Sequence, residues 1–280
     1  MKNPRIGKWL RVAVLVGLTG CSRDAIEAVN LANEADELKK TNIDGAIDKY
    51  EAASEKDPSN HRILWKLALA YQKKDDWAKV GSTCAKAEAA DEKSNKRKTF
   101  ASYHFLHGHA LLALAGKGNG GWADAKGPLT TAVQIDPNYA EAYRDLGDVL
   151  LHLDDEQGAL EHYTKAAMTR PDHLEYYVPL ADLYRRLGLL DLSAQVLKEA
   201  LGFAKAGDEQ LFSIHALQGF LLELKGDLPG SLAAYELAKK ACGDCDKHRE
   251  AYFYLGSAYF QAGASRKTEA LQQLRAFWKT

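Results

Sequence analysis

The sequence predicts an all-α fold, a solenoid of about seven helical hairpins. A thirty-four-residue period carries that prediction, clearest from Asn138 to Pro171, where Tyr143, Leu146, Gly147, Ala159, Tyr163, Ala166 and Pro171 recur at a repeat unit's offsets. Small residues such as Gly147, Ala159 and Ala181 stand where two helix axes must approach, and Tyr143, Tyr163, Tyr177 and Tyr184 suit the wedge between stacked hairpins. Pro58, Pro137 and Pro171 close second helices, because proline lacks an amide donor and turns the preceding residue away from helical geometry. A single hairpin cannot bury its own apolar face, so each depends on its neighbours.

The spacing resembles the tetratricopeptide repeat, W-x2-L-G-x2-Y followed by A-x3-F and P. That resemblance implies a right-handed α-α superhelix that holds protein partners in a concave groove and does no chemistry itself. Repeat one keeps Ala46, Tyr50, Ala53 and Pro58, while Asn30, Asn33 and Glu34 make its first helix polar, as suits an end repeat. Repeat two reads Leu64, Leu67, Ala68, Tyr71, Val80, Cys84 and Ala87. Repeat three, with Gly108, Leu111, Ala125, Leu129, Ala132 and Pro137, has an overlong turn. The unit from Asn138 to Pro171 is the fourth. Repeat five has Tyr177, Leu180, Ala181, Tyr184, Gly188, Leu197 and Ala200, then a loose connection from Gly202 to Gly207. Repeat six is weaker, with Gly219, Leu222, Gly226, Tyr235 and Ala238, and repeat seven has Tyr252, Leu255, Gly256, Tyr259, Gly263, Ala270 and Leu274.

At the N-terminus Lys2, Arg5, Lys8 and Arg11 precede an apolar run, Val12 to Leu18, too short to span a bilayer. Leu18-Thr19-Gly20-Cys21 resembles the bacterial lipoprotein signal. The resemblance implies cleavage of residues 1–20, lipid on Cys21, a short tether over 21–25 and a solenoid over 26–280. Several acyl chains would give stable attachment where one is marginal. Ser22, following the cysteine in place of aspartate, implies sorting to the outer membrane by the enteric rule. A free periplasmic product of an ordinary signal is the alternative.

Loss of that segment lowers the 37 basic residues to 33 against 38 acidic ones, a net charge of −5. A polyphosphate partner calls for a basic face, and only Lys93-Ser94-Asn95-Lys96-Arg97-Lys98 offers one, so nucleic acid is not an expected partner. That stretch reads as a solvated connection, with a lipid headgroup contact as the sharper alternative.

Cys242-Gly243-Asp244-Cys245 admits a disulfide staple, half of a zinc site or a redox dithiol. Zinc needs four ligands and only His248 lies near, which favours the staple. Cys84 occupies a core position. Gly116 to Gly121 lacks the Lys-Ser/Thr ending and the preceding strand of a phosphate loop, so it reads as a turn. His104 and His107 share a helix face, His109 turns away, and no acidic residue is evident beside them. Neither a catalytic signature nor a cofactor motif occurs, so no metal or cofactor is expected.

The resemblance places the groove on the first helix of each hairpin. Its positions carry Trp65, Leu69 and Lys73 in repeat two, Phe105, His109 and Leu112 in repeat three, and Arg144, Asp148 and His152 in repeat four. Val178, Asp182, Arg185 and Arg186 follow in repeat five, and Phe220, Phe253 and Phe260 in the last two. Arginines at the centre with aromatics toward both ends suit a segment bearing a carboxylate flanked by apolar side chains. Lipid signal and repeats together are similar to the lipoproteins that pilot secretin assembly for type IV pili, and more loosely to those of gliding-motility and barrel-assembly machines. They imply a non-enzymatic scaffold docking an envelope protein. A periplasmic adaptor of a cell-wall enzyme complex is the alternative, and a zinc- or redox-linked activity at Cys242 and Cys245 a third reading. Phe277 and Trp278 lie in the last helix with no polar helix after them, so some self-association through that end is expected.

Overall fold

Apolar residues three and four apart give each segment one buried stripe, and glycine, asparagine or aspartate punctuates the runs, so helix follows helix with short turns. The computed structural model describes residues 9–94, 100–242, 245 and 247–279, with side chains from Arg23 onward except at Ser94. Every regular element among them is helical, with no strand. The chain divides into two compact units, one ending at Leu153 and the other beginning at Asp154.

The first unit contains α1 (Trp9–Leu38), α2 (Ile43–Lys56), α3 (His61–Gln72), α4 (Trp77–Ser94), α5 (Ala101–Gly116), α6 (Trp122–Ile135) and α7 (Ala140–His152). The second contains α8 (Glu156–Thr169), α9 (Tyr177–Arg186), α10 (Leu190–Phe203), α11 (Leu211–Leu224), α12 (Leu228–Ala241), α13 (Glu250–Gln261) and α14 (Lys267–Lys279). Short 3-10 turns at Leu174–Tyr176 and Ala264–Arg266 lead into α9 and α14. Helix α1 runs through residues 21–25, the expected tether, without a break. Cys21 and the other side chains of the signal-like segment, and residues 95–99 of the basic stretch, lie outside what is described.

Two local devices build the hairpins. The first caps the second helix: the side-chain oxygens of Asn42, Asp155 and Asp227 accept from the amides of Gly45, Gly158 and Gly230, three residues on. The second sets the approach of the two helices. A Cβ on Gly108 would lie 2.5 Å from Leu129 on α6, one on Gly219 2.6 Å from the Tyr235 ring on α12, and one on Gly256 2.8 Å from Leu274 on α14. In the fifth hairpin Ala181 and Ser193 take this place, and the Ser193 hydroxyl donates to the Ala181 carbonyl at 2.6 Å. The polar first helix expected at the N-terminal end buries a small-residue stripe, Ala28, Ala32 and Ala35, against α2.

The turns follow the irregularities of the period. Gly118 and Gly120 take positive φ in the overlong turn between α5 and α6, and Gly263 does so where the seventh repeat slips. Substituting Gly219 with alanine is expected to destabilise the protein by about 1–3 kcal/mol through overpacking against Tyr235. Gly202→Ala, with open space around its Cβ near the end of α10, is expected to be neutral or stabilising by less than about 1 kcal/mol. Urea unfolding followed by circular dichroism separates the two, and equal effects would contradict the close-approach account.

Candidate functional site

In the first unit the groove positions fall on α3, α5 and α7. Trp65 is half-buried with its ring 4.8 Å from that of Tyr103. Phe105 packs between Tyr139, at 4.7 Å, and His109, at 5.6 Å. His109 Nδ1 lies 2.6 Å from Asp145 Oδ2, within hydrogen-bond distance. Asp145 is fully buried, and its other oxygen accepts from Arg144 Nε at 3.0 Å and Nη2 at 2.5 Å. The Arg144 charge is therefore matched inside the chain. Asp148 is half-buried, and the exposed His152 stacks on Trp122 at 3.6 Å.

Uncompensated positive charge on this unit lies elsewhere, where Asp36 gathers Lys39 at 3.1 Å, Lys66 at 2.5 Å and the Tyr50 hydroxyl at 2.6 Å. Burial opposes ionisation of Asp36, but these hydrogen bonds outweigh it and hold the carboxyl at about 2. Lys39 and Lys66 share a small cavity of about 130 Å³ with Lys73, floored by Ile43, Leu69 and Ala70. Lys73 and Leu69 belong to the predicted stripe; Lys66 lies three residues before Leu69 on α3 but is not among the groove positions, and Lys39 comes from the end of α1, whose relation to the stripe depends on packing.

An acidic partner also stands beside the histidines. Glu88 of α4 meets His107 Nδ1 at 3.0 Å and His104 Nδ1 at 3.3 Å. Burial again opposes ionisation, yet the two histidines hold the Glu88 carboxyl at about 2. Sequence reading missed it because Glu88 comes from the preceding hairpin. Burial, with Glu88 one turn away, pushes the Cys84 thiol up to about 12, as befits a core residue. Among the described residues no group of three His, Cys, Asp or Glu side chains is arranged to hold a metal ion.

The second unit holds the better-formed concavity, about 470 Å³ between α9, α11 and α13. Its floor is apolar, with Phe212, Ala216 and Phe220 at four-residue spacing on α11, and Val178 and Tyr254 beside them. Asp182 stands on the α9 wall and Glu250 on the α13 wall. Arg185 Nε and Nη2 both reach Asp182 Oδ1, at 2.8 and 2.7 Å, and the guanidinium lies 5.0 Å from the Phe220 ring centre. Of the groove residues expected here, Val178, Asp182, Arg185 and Phe220 converge. Arg186 is exposed and does not line the pocket; nor does Phe253, which packs against Phe277 at 5.7 Å, nor Phe260, 71% exposed. Phe212, Tyr254 and Glu250 were not anticipated, although Phe212 and Phe220 stand eight residues apart, two helical turns on one face.

Cys242 and Cys245 are joined in a disulfide across the α12–α13 connection, with Cα atoms 4.8 Å apart. Buried Cys245 packs with Phe212, Ala238 and Ala251, so the bridge backs the pocket floor. His248 stacks on Phe212 at 4.1 Å and its Nδ1 is 3.3 Å from Glu250.

Tetratricopeptide-repeat models match residues 37–75 and 110–173. No curated protein sequence matches the chain. Among solved structures, MamA is 25% identical over 60% of this chain and 93% of its own, with a TM-score of 0.54. PilF of Pseudomonas aeruginosa is 18% identical over 79% of this chain and 93% of its own, at 0.57. The C-terminal part of a TPR repeat-containing protein from Cytophaga hutchinsonii is 16% identical over 89% and 95%, at 0.63. The fold is thus the tetratricopeptide type of helical-hairpin repeat.

The two depressed carboxyls predict an acid limb to stability. Asp36 and Glu88 move from 3.8 and 4.5 to about 2 in the folded chain, so on acidification the unfolded chain binds protons first. Their contribution is complete above about pH 4.5 and is lost between there and about pH 2. Urea midpoints measured across that window should fall with pH, and less steeply in Glu88→Gln; a flat profile would refute the linkage.

Proposed function

We propose that this chain is a non-enzymatic docking scaffold, held by lipid on Cys21 at the periplasmic face of the outer membrane and receiving a protein of an envelope machine. The observation that carries the docking reading is the second unit's pocket. The pocket lies between the first helices of successive hairpins with its aromatic floor on α11, and its one arginine is already paired with Asp182. Such a site takes an apolar anchor side chain and gains little from an acidic one. The carboxylate preference read from Arg144 and Arg185 moves instead to the lysines around Asp36 in the first unit. A partner with an apolar anchor, in a helix or an extended segment, fits the pocket.

The envelope assignment rests on the lipoprotein-like signal at Leu18–Cys21 and on the fold likeness to PilF. Secretin assembly for type IV pili is the machine we favour, with gliding motility next. Crosslinking in intact cells of the source, followed by mass spectrometry, tests the whole reading. An envelope-machine component should be captured by the native chain and its recovery reduced about tenfold or more by Phe220→Glu, since buried aromatics dominate binding energy. Cys21→Ser should shift the chain from the membrane to the soluble periplasmic fraction. Undiminished capture by Phe220→Glu would remove the pocket from the docking site, and unchanged membrane fractionation of Cys21→Ser would remove the lipid anchor.

A further inference from the structure

The most exposed large apolar side chain among the described residues is Trp278, 81% exposed near the end of α14. It does not stand alone. Lys267, Leu271, Arg275 and Trp278 succeed one another at four, four and three residues, so they form one outward stripe of an amphipathic helix. The end of that helix is held in place: Phe277 packs on Phe253 at 5.7 Å, and Arg249 Nη2 donates to the Phe277 carbonyl at 3.0 Å. Trp278 is thus presented from a fixed position, flanked by Arg275 and Lys279, whose charges meet no carboxylate among the described residues.

The pocket of the second unit has the complementary arrangement. Its centre is aromatic, and each wall carries a carboxylate: Asp182 Oδ1 pairs with Arg185, and Glu250 Oε1 lies 3.3 Å from His248 Nδ1. Both side chains are about two-fifths exposed, at 41% and 44%. A volume of about 470 Å³ accommodates an indole with room for a cation on either side.

We infer that the C-terminal end of α14 from a second copy of this chain docks in this pocket, Trp278 on the Phe212–Phe220 floor and Arg275 and Lys279 against Asp182 and Glu250. Donor and acceptor are different patches of one surface, so the contact is heterologous. Each added copy brings a new free end and a new free pocket, and the assembly grows until a rotation closes it. The inference rests on the reading of this pocket as a protein-docking site, and it sets self-association in competition with the envelope partner for the same floor.

The test places a photo-crosslinking phenylalanine analogue at position 278 of the full chain, mixes unlabelled and nitrogen-15-labelled protein, irradiates, and maps mixed-isotope crosslinks. The expected products join position 278 of one copy to the α11 peptide, Leu211–Leu224, of another. Arg275→Glu should lower their yield about tenfold, and adding Glu250→Lys should restore it, as charge pairs set the register of such contacts. Trp278 and Arg275 are exposed and the Glu250 side chain is 44% exposed, so circular dichroism should be unchanged throughout. Crosslinks absent, confined within one copy, or formed elsewhere on the second copy would overturn the inference. If they are absent while Phe220→Glu still loses the envelope partner, the docking reading stands and only self-association falls.

Discussion

Everything in this molecule depends on how closely the two helices of a hairpin can approach. Where Gly108, Gly219 and Gly256 face Leu129, Tyr235 and Leu274, the space a methyl group would occupy is already taken by the opposing side chain. That contact sets the spacing of the first and second helices, and through it the angle at which the first helices present themselves. Gly219 takes part in this at the pocket itself: beside Phe220 on α11, it seats the helix on Tyr235, whose ring also lines the pocket. Packing density in the hairpin and geometry of the site are one constraint seen from two sides.

Charge is the second organising principle, and it works by local compensation. Asp145 binds His109 and Arg144, Asp182 binds Arg185, Asp36 gathers two lysines and a tyrosine, and Glu88 holds two histidines. A repeat array buries one face of every helix, and long polar side chains at the edge of that face are partly desolvated. Satisfying them within the chain avoids an unpaired charge, whose desolvation is costly. The side effect is that a residue's formal charge is a poor guide to what the groove offers a partner. The net electrostatic character comes from the surplus: two lysines on the one Asp36 carboxylate with Lys73 nearby, and Glu250 on the pocket wall.

The fold was almost fully legible from the chain because its determinants are local and periodic. The positions of Leu146, Tyr163 and Ala166 specify helix, turn and helix without reference to anything distant, and departures such as the long turn after Gly116 appear where the period fails. The site was legible only in part. The repeat resemblance put Asp182, Arg185 and Phe220 in the groove, but could not tell that Phe253 would be drawn to Phe277, since that pairing joins α13 to α14. Glu88 beside His107, and Lys66 beside Asp36, escaped for the same reason: they are 19 and 30 residues apart. Sequence periodicity says which face a residue occupies, and the partner across the gap is settled by packing.

The caps at Asn42, Asp155 and Asp227 reach beyond stability into kinetics. Each second helix begins under a hydrogen bond spanning three residues, and the close approach inside a hairpin joins positions only about twenty residues apart. Closing such short loops costs little entropy, so contact order is low and a hairpin can nucleate as soon as it leaves the ribosome. A chain of this kind can order from its leading end while the remainder is still being delivered. It can also gain or lose whole hairpins over evolutionary time without rewriting the instructions for the others, which leaves the pocket-forming hairpins free to diversify.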